Sequence, residues 1–431
     1  MIHRYYYGDG KLETEASFNG ELIDGIKVYH RNGQLAKNGR YENGKAKGIW
    51  KFYYATGQLK REGSYRDGKE EGVWKYYYEN GYLESEGSLN QGEKQGMWKK
   101  HFEFGVLKEE GSYRDGKEEG VWKYYYENGY LESEGSLNQG EKQGMWKKYF
   151  EFGVLKEEGS YQDGKEEGVW KRYNEDGQLL FEAVFEDGKI NGNAVYYWDN
   201  GQLKMEECYE NGNREGTSKY YYENGQLETE GSYRDGKEEG RWKNYHINGQ
   251  LAVNINYSDG KINGKVIVYY ENGQMMEEGS SNYGKREGVW KMYREDGTLL
   301  SEVLFKYGKI VTRKIFYDSG QLSKEMRFKD NFVEIIKTYW EQNGMMASEE
   351  TYKSEKSEGM SKIYYNSGKL EKEGALKNGL ADGLWKRYYE SGELFREAEF
   401  EAGELNGVLK EYTESGELVS EQIYKNGIRI E

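Results

Sequence analysis

The chain has 431 residues, enough for roughly two to four ordinary domains by length, yet only 35% are hydrophobic while 16% are aromatic, with 43 Tyr, 59 Gly and no Pro. Disorder favours Pro and avoids aromatics, so that balance excludes it. The net charge of −15 argues against nucleic acid and makes membrane partners an unfavourable expectation, and the single Cys208 excludes an intrachain disulfide framework and a CxxC metal pattern. The N-terminal stretch MIHRYYYGDGKLETEASF carries no apolar signal core, and no run reaches the roughly 20 apolar residues of a membrane span. A cytoplasmic protein is expected, or a secreted or surface one if a signal has been removed.

In chain order the sequence is one unit written repeatedly. It opens weakly at His3 and Ile26. Trp then recurs every 24 residues at Trp50, Trp74, Trp98, Trp122, Trp146 and Trp170, and later in the same frame at Trp242, Trp290 and Trp385. Other residues fill the slot between and after these: Ala194, Ser218, Val266, Arg313, Lys337, Ser361 and Leu409. The result is 18 copies, with two steps of 23 rather than 24, from 3 to 26 and from 290 to 313. The block 62–123 matches 110–171 at all but two positions, a duplicated pair of units. Counting from the Trp slot as zero, Gly stands at +7 in all 18 copies and Leu or Met at +9. Degenerate copies run around 308–360, where Asn331 and Glu355 replace a turn glycine and 330–346 offers a kink, a dedicated site or simple drift. One tandem array over 1–431 is expected.

Each copy predicts two strands. Asn-Gly pairs such as Asn80-Gly81 and Asp-Gly pairs such as Asp67-Gly68 suit two-residue hairpin turns, and the Tyr-, Trp- and Val-rich segments between them suit strands. A turn at Asn80-Gly81 sets Tyr78 opposite Leu83, Tyr76 opposite Ser85 and Trp74 opposite Gly87 on one face. The other face receives Glu79 with Tyr82, Tyr77 with Glu84 and Lys75 with Glu86. A turn at Asp115-Gly116 sets Trp122 opposite Glu109, again placing Trp and Leu on the same side. Loop slack is expected to absorb the residue missing from the 23-residue steps. Half-burying a Trp contributes roughly 2–3 kcal/mol, too little to order one hairpin, so neighbouring hairpins must stack cooperatively. The expected fold is all-β: an elongated array of about 18 antiparallel hairpins forming a twisted single-layer sheet roughly 170 Å along its contour.

The residues Gly72-Val73-Trp74-Lys75, Tyr77, Gly81, Leu83, Glu86-Gly87 and Asp67-Gly68-Lys69 resemble the MORN-repeat variant, the repeat of the YwqK family of bacterial antitoxins, across essentially the whole chain. That resemblance implies an elongated sheet of hairpins and a binding role. MORN repeats elsewhere are associated with membranes, scaffolding and oligomerisation, which leaves self-association open.

No catalytic constellation stands out, and no metal or cofactor is expected. His3, His30, His101 and His246 read as surface or stacking residues, and the recurrent Glu pairs lack a defined pocket. The nine tryptophans at slot zero read as structural. A row at slot +3, comprising Tyr53, Tyr77, Tyr125, Tyr149, Tyr173, Tyr197 and Tyr221, lies on the Lys–Glu face and is the candidate binding row, since Tyr offers contact area with a polar tip. A non-enzymatic protein-binding module is expected, an antitoxin or immunity protein masking a toxin being its specific form. A carbohydrate or cell-surface binder and a membrane-associated scaffold are the alternatives.

Overall fold

A computed structural model of the chain describes residues 1–330, 332–353 and 358–431. Its regular structure is entirely β, with 38 strands, no helix among the described residues, and consecutive strands paired antiparallel within each unit. The units are Met1–Glu215 with Glu223–Gly225, and Gly216–Tyr222 with Gln226–Glu431. Asn331 and Glu355 lie outside the described residues.

Two kinds of connection alternate. At Asp67-Gly68 the two-residue turn is as expected: Arg66 pairs with Lys69, and both turn residues have positive φ, 53° and 83°. This is the type I′ geometry whose twist matches the strands it joins. At Asn80-Gly81 the connection differs. Gly81 N–H donates to the Tyr78 carbonyl and Tyr78 N–H to the Tyr82 carbonyl. Only Gly81 has positive φ. This is a three-residue loop, a type I turn closed by a left-handed glycine.

The longer loop moves one residue. Trp74 still faces Gly87, Lys75 faces Glu86 and Tyr76 faces Ser85, but a bulge follows and Tyr77 faces Leu83. The expectation that Trp and Leu share a face is therefore overturned: the leucine lies opposite the +3 tyrosine, on the Lys–Glu face. The pairs Tyr78–Leu83, Tyr77–Glu84 and Glu79–Tyr82 fall with it, because an Asn-Gly pair alone does not choose between the two loop types.

A second bulge sits on the strand entering each Trp. Ser88 pairs with Gln95 but the neighbouring Gly87 pairs with Trp98, leaving Gly96 and Met97 as two extra residues. Gly96 takes φ 67°, a conformation that costs glycine little. The bulge shifts the register by two, so the Trp122 indole lies over Gly111 rather than reaching Glu109. At the 23-residue steps the two-residue turns are kept and the bulge gives up a residue instead. Ser17 pairs with Gly25 and Phe18 with Ile23, leaving one extra residue, and Leu304–Thr312 followed by Phe305–Ile310 repeats this.

The bulge lets the indole lean back onto the preceding strand. All nine slot-0 tryptophans lie over a glycine eleven residues earlier, from Trp50 on Gly39 to Trp385 on Gly374. In eight of the nine the indole Nε1–H then donates to the carbonyl of the next residue, as in Trp74 to Ser64 at 3.2 Å and Trp98 to Ser88 at 3.1 Å, whereas Trp122 Nε1 is buried without a partner. Where that glycine is replaced, Trp is absent: Ala183 faces Ala194, Ile255 faces Val266, Val303 faces Arg313, Glu350 faces Ser361 and Ala398 faces Leu409.

Burial exceeds the expected half. Trp74 is 0% exposed and Trp122 2% exposed. Each indole is covered by its own sheet: Tyr65 meets Trp74 edge-on at 5.3 Å, Phe52 and Tyr76 flank it, and the Arg61 guanidinium lies 5.1 Å from the ring. Removing the roughly 150–250 Å² of such a side chain from water is worth about 4–6 kcal/mol. The degenerate copies keep their strands. There the slot facing Met326 is Ile336, not Lys337, which instead pairs with Glu325 and Glu349 as slot +1 lysines do. The following loop is one residue longer, closed by Gly344 N–H on the Trp340 carbonyl.

A Cβ added to Gly111 would stand 2.2 Å from Cδ2 of Trp122. Gly111→Ala is expected to lower stability by about 1–3 kcal/mol. Adding Trp122→Ala to it should cost less than the two single losses summed, since Ala183 and Ala194 already coexist. Denaturant unfolding of the four proteins checks this.

Candidate functional site

The tryptophan face is closed upon itself. Lys94 Nζ sits 4.6 Å from the Trp98 ring and 4.5 Å from Tyr113, and Lys142 repeats this at 4.5 Å and 4.6 Å over Trp146 and Tyr161. Burial lowers both lysines' pKa. The depressions beside them are shallow and walled by these same groups. This face builds the core and leaves little ring surface for a ligand.

The opposite face carries the +3 tyrosines in a repeated three-residue contact. Glu62 takes a 2.9 Å ion pair from Lys51 and a 3.2 Å hydrogen bond from the Tyr77 hydroxyl. Tyr125 donates to Glu110 at 2.9 Å, Tyr149 to Glu134 at 3.1 Å and Tyr173 to Glu158 at 2.9 Å. In the copy of Tyr53 the glutamate is replaced by Asn38, whose Oδ1 is buried without a partner. Tyr197 and Tyr221 hold the same slot, opposite Leu203 and Leu227. All seven tyrosines are half-buried. Burial, then the bond to glutamate, pushes Tyr125, Tyr149 and Tyr173 up to about 12. In the same slot burial pushes His101 below its usual range. The expected Lys75–Glu86 pair forms at 3.2 Å, as does Lys99–Glu110 at 3.3 Å. Such half-exposed pairs are worth under about 1 kcal/mol each and hold register.

On this same face lies a row that the sequence reading passed over. The residue before each Trp shares the side of the slot +1 lysine, as the ladder Val73–Ser88, Lys75–Glu86 requires. From the third copy to the eighth it is aliphatic and open: Ile49 is 67% exposed, Val73 58%, Met97 56%, Val121 58%, Met145 54% and Val169 48%. The residue opposite is a serine at the first five, too short to cover it. The next copy places Asn193 there and the row ends.

The three-residue loops form an edge stitched copy to copy. Where slot +4 is Tyr, it donates to the backbone carbonyl of slot +3 in the next copy: Tyr54 to Tyr77 at 2.9 Å, Tyr78 to His101 at 2.8 Å and Tyr126 to Tyr149 at 2.7 Å; Phe102 and Phe150 lack the hydroxyl. His30 and His246 replace that tyrosine and contact the same carbonyl through Nε2 at 3.0 Å. Asn80 Nδ2 reaches the Glu103 carbonyl at 2.8 Å, as Asn128 reaches that of Glu151. The signal for this clasp is in the sequence, a tyrosine directly after slot +3, there assigned to a cross-strand pair of Tyr78 with Leu83. Among the described residues no group of three His, Cys, Asp or Glu could hold a metal ion.

Comparison with known proteins gives one strong result. The family model described as MORN repeat variant matches fifteen stretches, from 46–67 and 70–91 continuously to 311–330, then 357–378, 381–402 and 405–426. The unmatched copies are those at His3, Ile26 and 337. No curated protein matches. Solved structures that align include a TcdB2-TccC3 crystal structure, 13% identical over 98% of this chain and 31% of that one, with TM-score 0.15. A Photorhabdus luminescens Tc holotoxin pore aligns at 12% identity over 98% and 30%, with TM-score 0.17. The chain spans about a third of those chains, and likenesses of this size carry no weight for fold or role.

The raised tyrosines predict an alkaline weakness. An unfolded phenol ionises near pH 10, whereas Tyr125, Tyr149 and Tyr173 hold their protons to about 12. Between those values the unfolded chain binds fewer protons, so stability should fall as pH rises from about 10 to 12. Phenolate absorbance should show a late-titrating group, and Tyr125→Phe should shrink it.

Proposed function

This chain belongs to the MORN repeat variant family, and on that premise we propose that it is a non-enzymatic, protein-binding repeat scaffold that meets a folded partner through its Lys–Glu–Tyr face. The observation that carries this reading is the uncovered aliphatic row, Ile49 to Val169, at one slot in six consecutive copies. Strand spacing puts its length at about 48 Å, the scale of a standard protein interface. Covering the exposed half of each side chain contributes about 1 kcal/mol, roughly 6 kcal/mol over the six residues of the row. Association alone costs at least ~4 kcal/mol, so the row needs the flanking residues as well. The half-buried tyrosines Tyr77, Tyr125, Tyr149 and Tyr173 are held rigidly beside it by their glutamates, which lowers the entropy a partner must remove.

An antitoxin or immunity protein is the specific form of this scaffold that we favour. Its balanced Lys–Glu pairs set register, and the acidic remainder of the chain would speed capture of a basic toxin surface.

Val73→Glu, Val121→Glu and Met145→Glu together should leave the melting temperature within a few degrees of the parent, since all three side chains point to water. Affinity capture from the native organism's lysate should recover one stoichiometric protein with the parent chain and lose it with the triple variant. Equal recovery by both would remove the row from recognition. Recovery of wall polymer alone would favour a glycan binder instead.

A further inference from the structure

The loop edge carries a second exposed row, of different chemistry. In the loops spanning 78–82, 102–106, 126–130 and 150–154, Tyr82 and Tyr130 are 53% exposed and Phe104 and Phe152 50%. These rings are fixed. Phe102 and Phe104 stack at 5.5 Å with 2° between planes, and Phe150 and Phe152 repeat this at 5.6 Å and 2°. The Tyr82 ring lies so close over Gly105 that an added Cβ would stand 3.0 Å from its Cδ1, and Tyr130 covers Gly153 in the same way. The clasps of Tyr78 and Asn80 tie the first loop to the second, and those of Tyr126 and Asn128 tie the third to the fourth, each pair standing two strands apart, about 9.6 Å.

Each of these loops also carries an acid at the same slot, +5: Glu79, Glu103, Glu127 and Glu151. None of the four is in an ion pair among the described residues, whereas the glutamates of the sheet face are paired with lysines. The edge also displays the contact such a strip is suited to make. Lys108 Nζ lies 5.5 Å from the centre of the Phe102 ring and Lys156 Nζ 5.3 Å from Phe150, which leaves Phe104 and Phe152 as their uncapped partners. A cation over an aromatic face with a carboxylate beside it is attractive on both counts.

We propose that this edge, over residues 78–154, binds an extended basic polypeptide segment with Lys or Arg at every third position. The spacing selects the occupant. A polyproline II segment advances about 3.1 Å per residue with three residues per turn, so every third side chain returns to the same side after about 9.3 Å. That step matches the loop spacing, so consecutive cations meet consecutive loops, each of which offers one carboxylate and one exposed ring, Tyr at slot +8 alternating with Phe at slot +6. Anionic polymers meet the same carboxylates with the wrong sign. The site is separate from the aliphatic row and stands on different residues.

The test uses the full chain and a fluorescein-labelled peptide of five Lys-Pro-Pro repeats, read by fluorescence anisotropy. Controls are a peptide of equal composition with its lysines clustered, a Glu-Pro-Pro peptide, and a neutral β-1,4-linked oligosaccharide. The in-register peptide should bind more tightly than the clustered one, and the Glu-Pro-Pro peptide and sugar should not bind. Tyr82→Ala, Phe104→Ala, Tyr130→Ala and Phe152→Ala together should raise Kd by more than about tenfold, the loss of four cation–ring contacts. Glu→Gln at 79, 103, 127 and 151, which keeps the rings, should weaken binding and flatten its salt dependence. The Val73, Val121 and Met145 variant should bind the peptide as the parent does, which separates this site from the sheet face. Equal affinity for in-register and clustered peptides, full binding by the ring variant, or binding of the sugar in place of the peptide would each overturn the proposal.

Discussion

One contact organises the repeat: an indole laid flat on the glycine of the preceding strand. Only glycine admits it, because any Cβ there would stand within about 2.2 Å of the ring, as at Gly63 beneath Trp74. Only a bulged strand delivers it, because a regular strand would hold the Trp upright over its own position. The glycine two residues before each Trp makes that bulge. Each contact joins one copy to the one before, so the energy of Trp burial is spent between hairpins rather than within them. A thin sheet is held together this way without a second layer, and stability propagates from neighbour to neighbour. The chain's own variation supports the coupling, since glycine and Trp are lost together, as at Ala183 with Ala194 and Glu350 with Ser361.

Much of this was legible in the sequence. The 24-residue period, the Asp-Gly turn, Trp74 facing Gly87 and Lys75 facing Glu86 follow from turn chemistry and strand alternation, and all are found. What was not legible depends on backbone irregularity. An Asn-Gly pair fits two loop types, and the longer one moves Leu83 across the sheet to Tyr77. The two-residue bulge at Gly96-Met97 preserves facing, so alternation alone cannot reveal it, yet it decides which glycine lies beneath the ring. The frame error at Lys337 has the same origin: a shortened bulge and a lengthened loop cancel in the residue count but move the slot to Ile336. On the Lys–Glu face the position of the +3 tyrosine row was legible, but its tie to glutamate was not, nor was the aliphatic row one residue before each Trp.

The division of labour between surfaces follows from these constraints. The tryptophan face spends its aromatic residues on cohesion. The opposite face spends its charges on register, with Glu62 held between Lys51 and Tyr77, and keeps its serine-flanked aliphatic residues open. The loop edge is tied by Tyr78 and Asn80 to the next copy and leaves Tyr82 and Phe104 exposed. The exposed side chains of the sheet face and the loop edge thus lie where cohesion does not need them.

The central claim, that each indole rests on a glycine of the strand before it, has a direct magnetic signature. With glycine-selective carbon labelling in a deuterated chain, the α-protons of Gly39, Gly63, Gly87, Gly111, Gly135, Gly159, Gly231, Gly279 and Gly374 should be displaced strongly upfield by ring current, while turn glycines such as Gly68 and Gly116 stay near ordinary values. Ordinary shifts for those nine glycines would show that the rings lie elsewhere and would contradict the account.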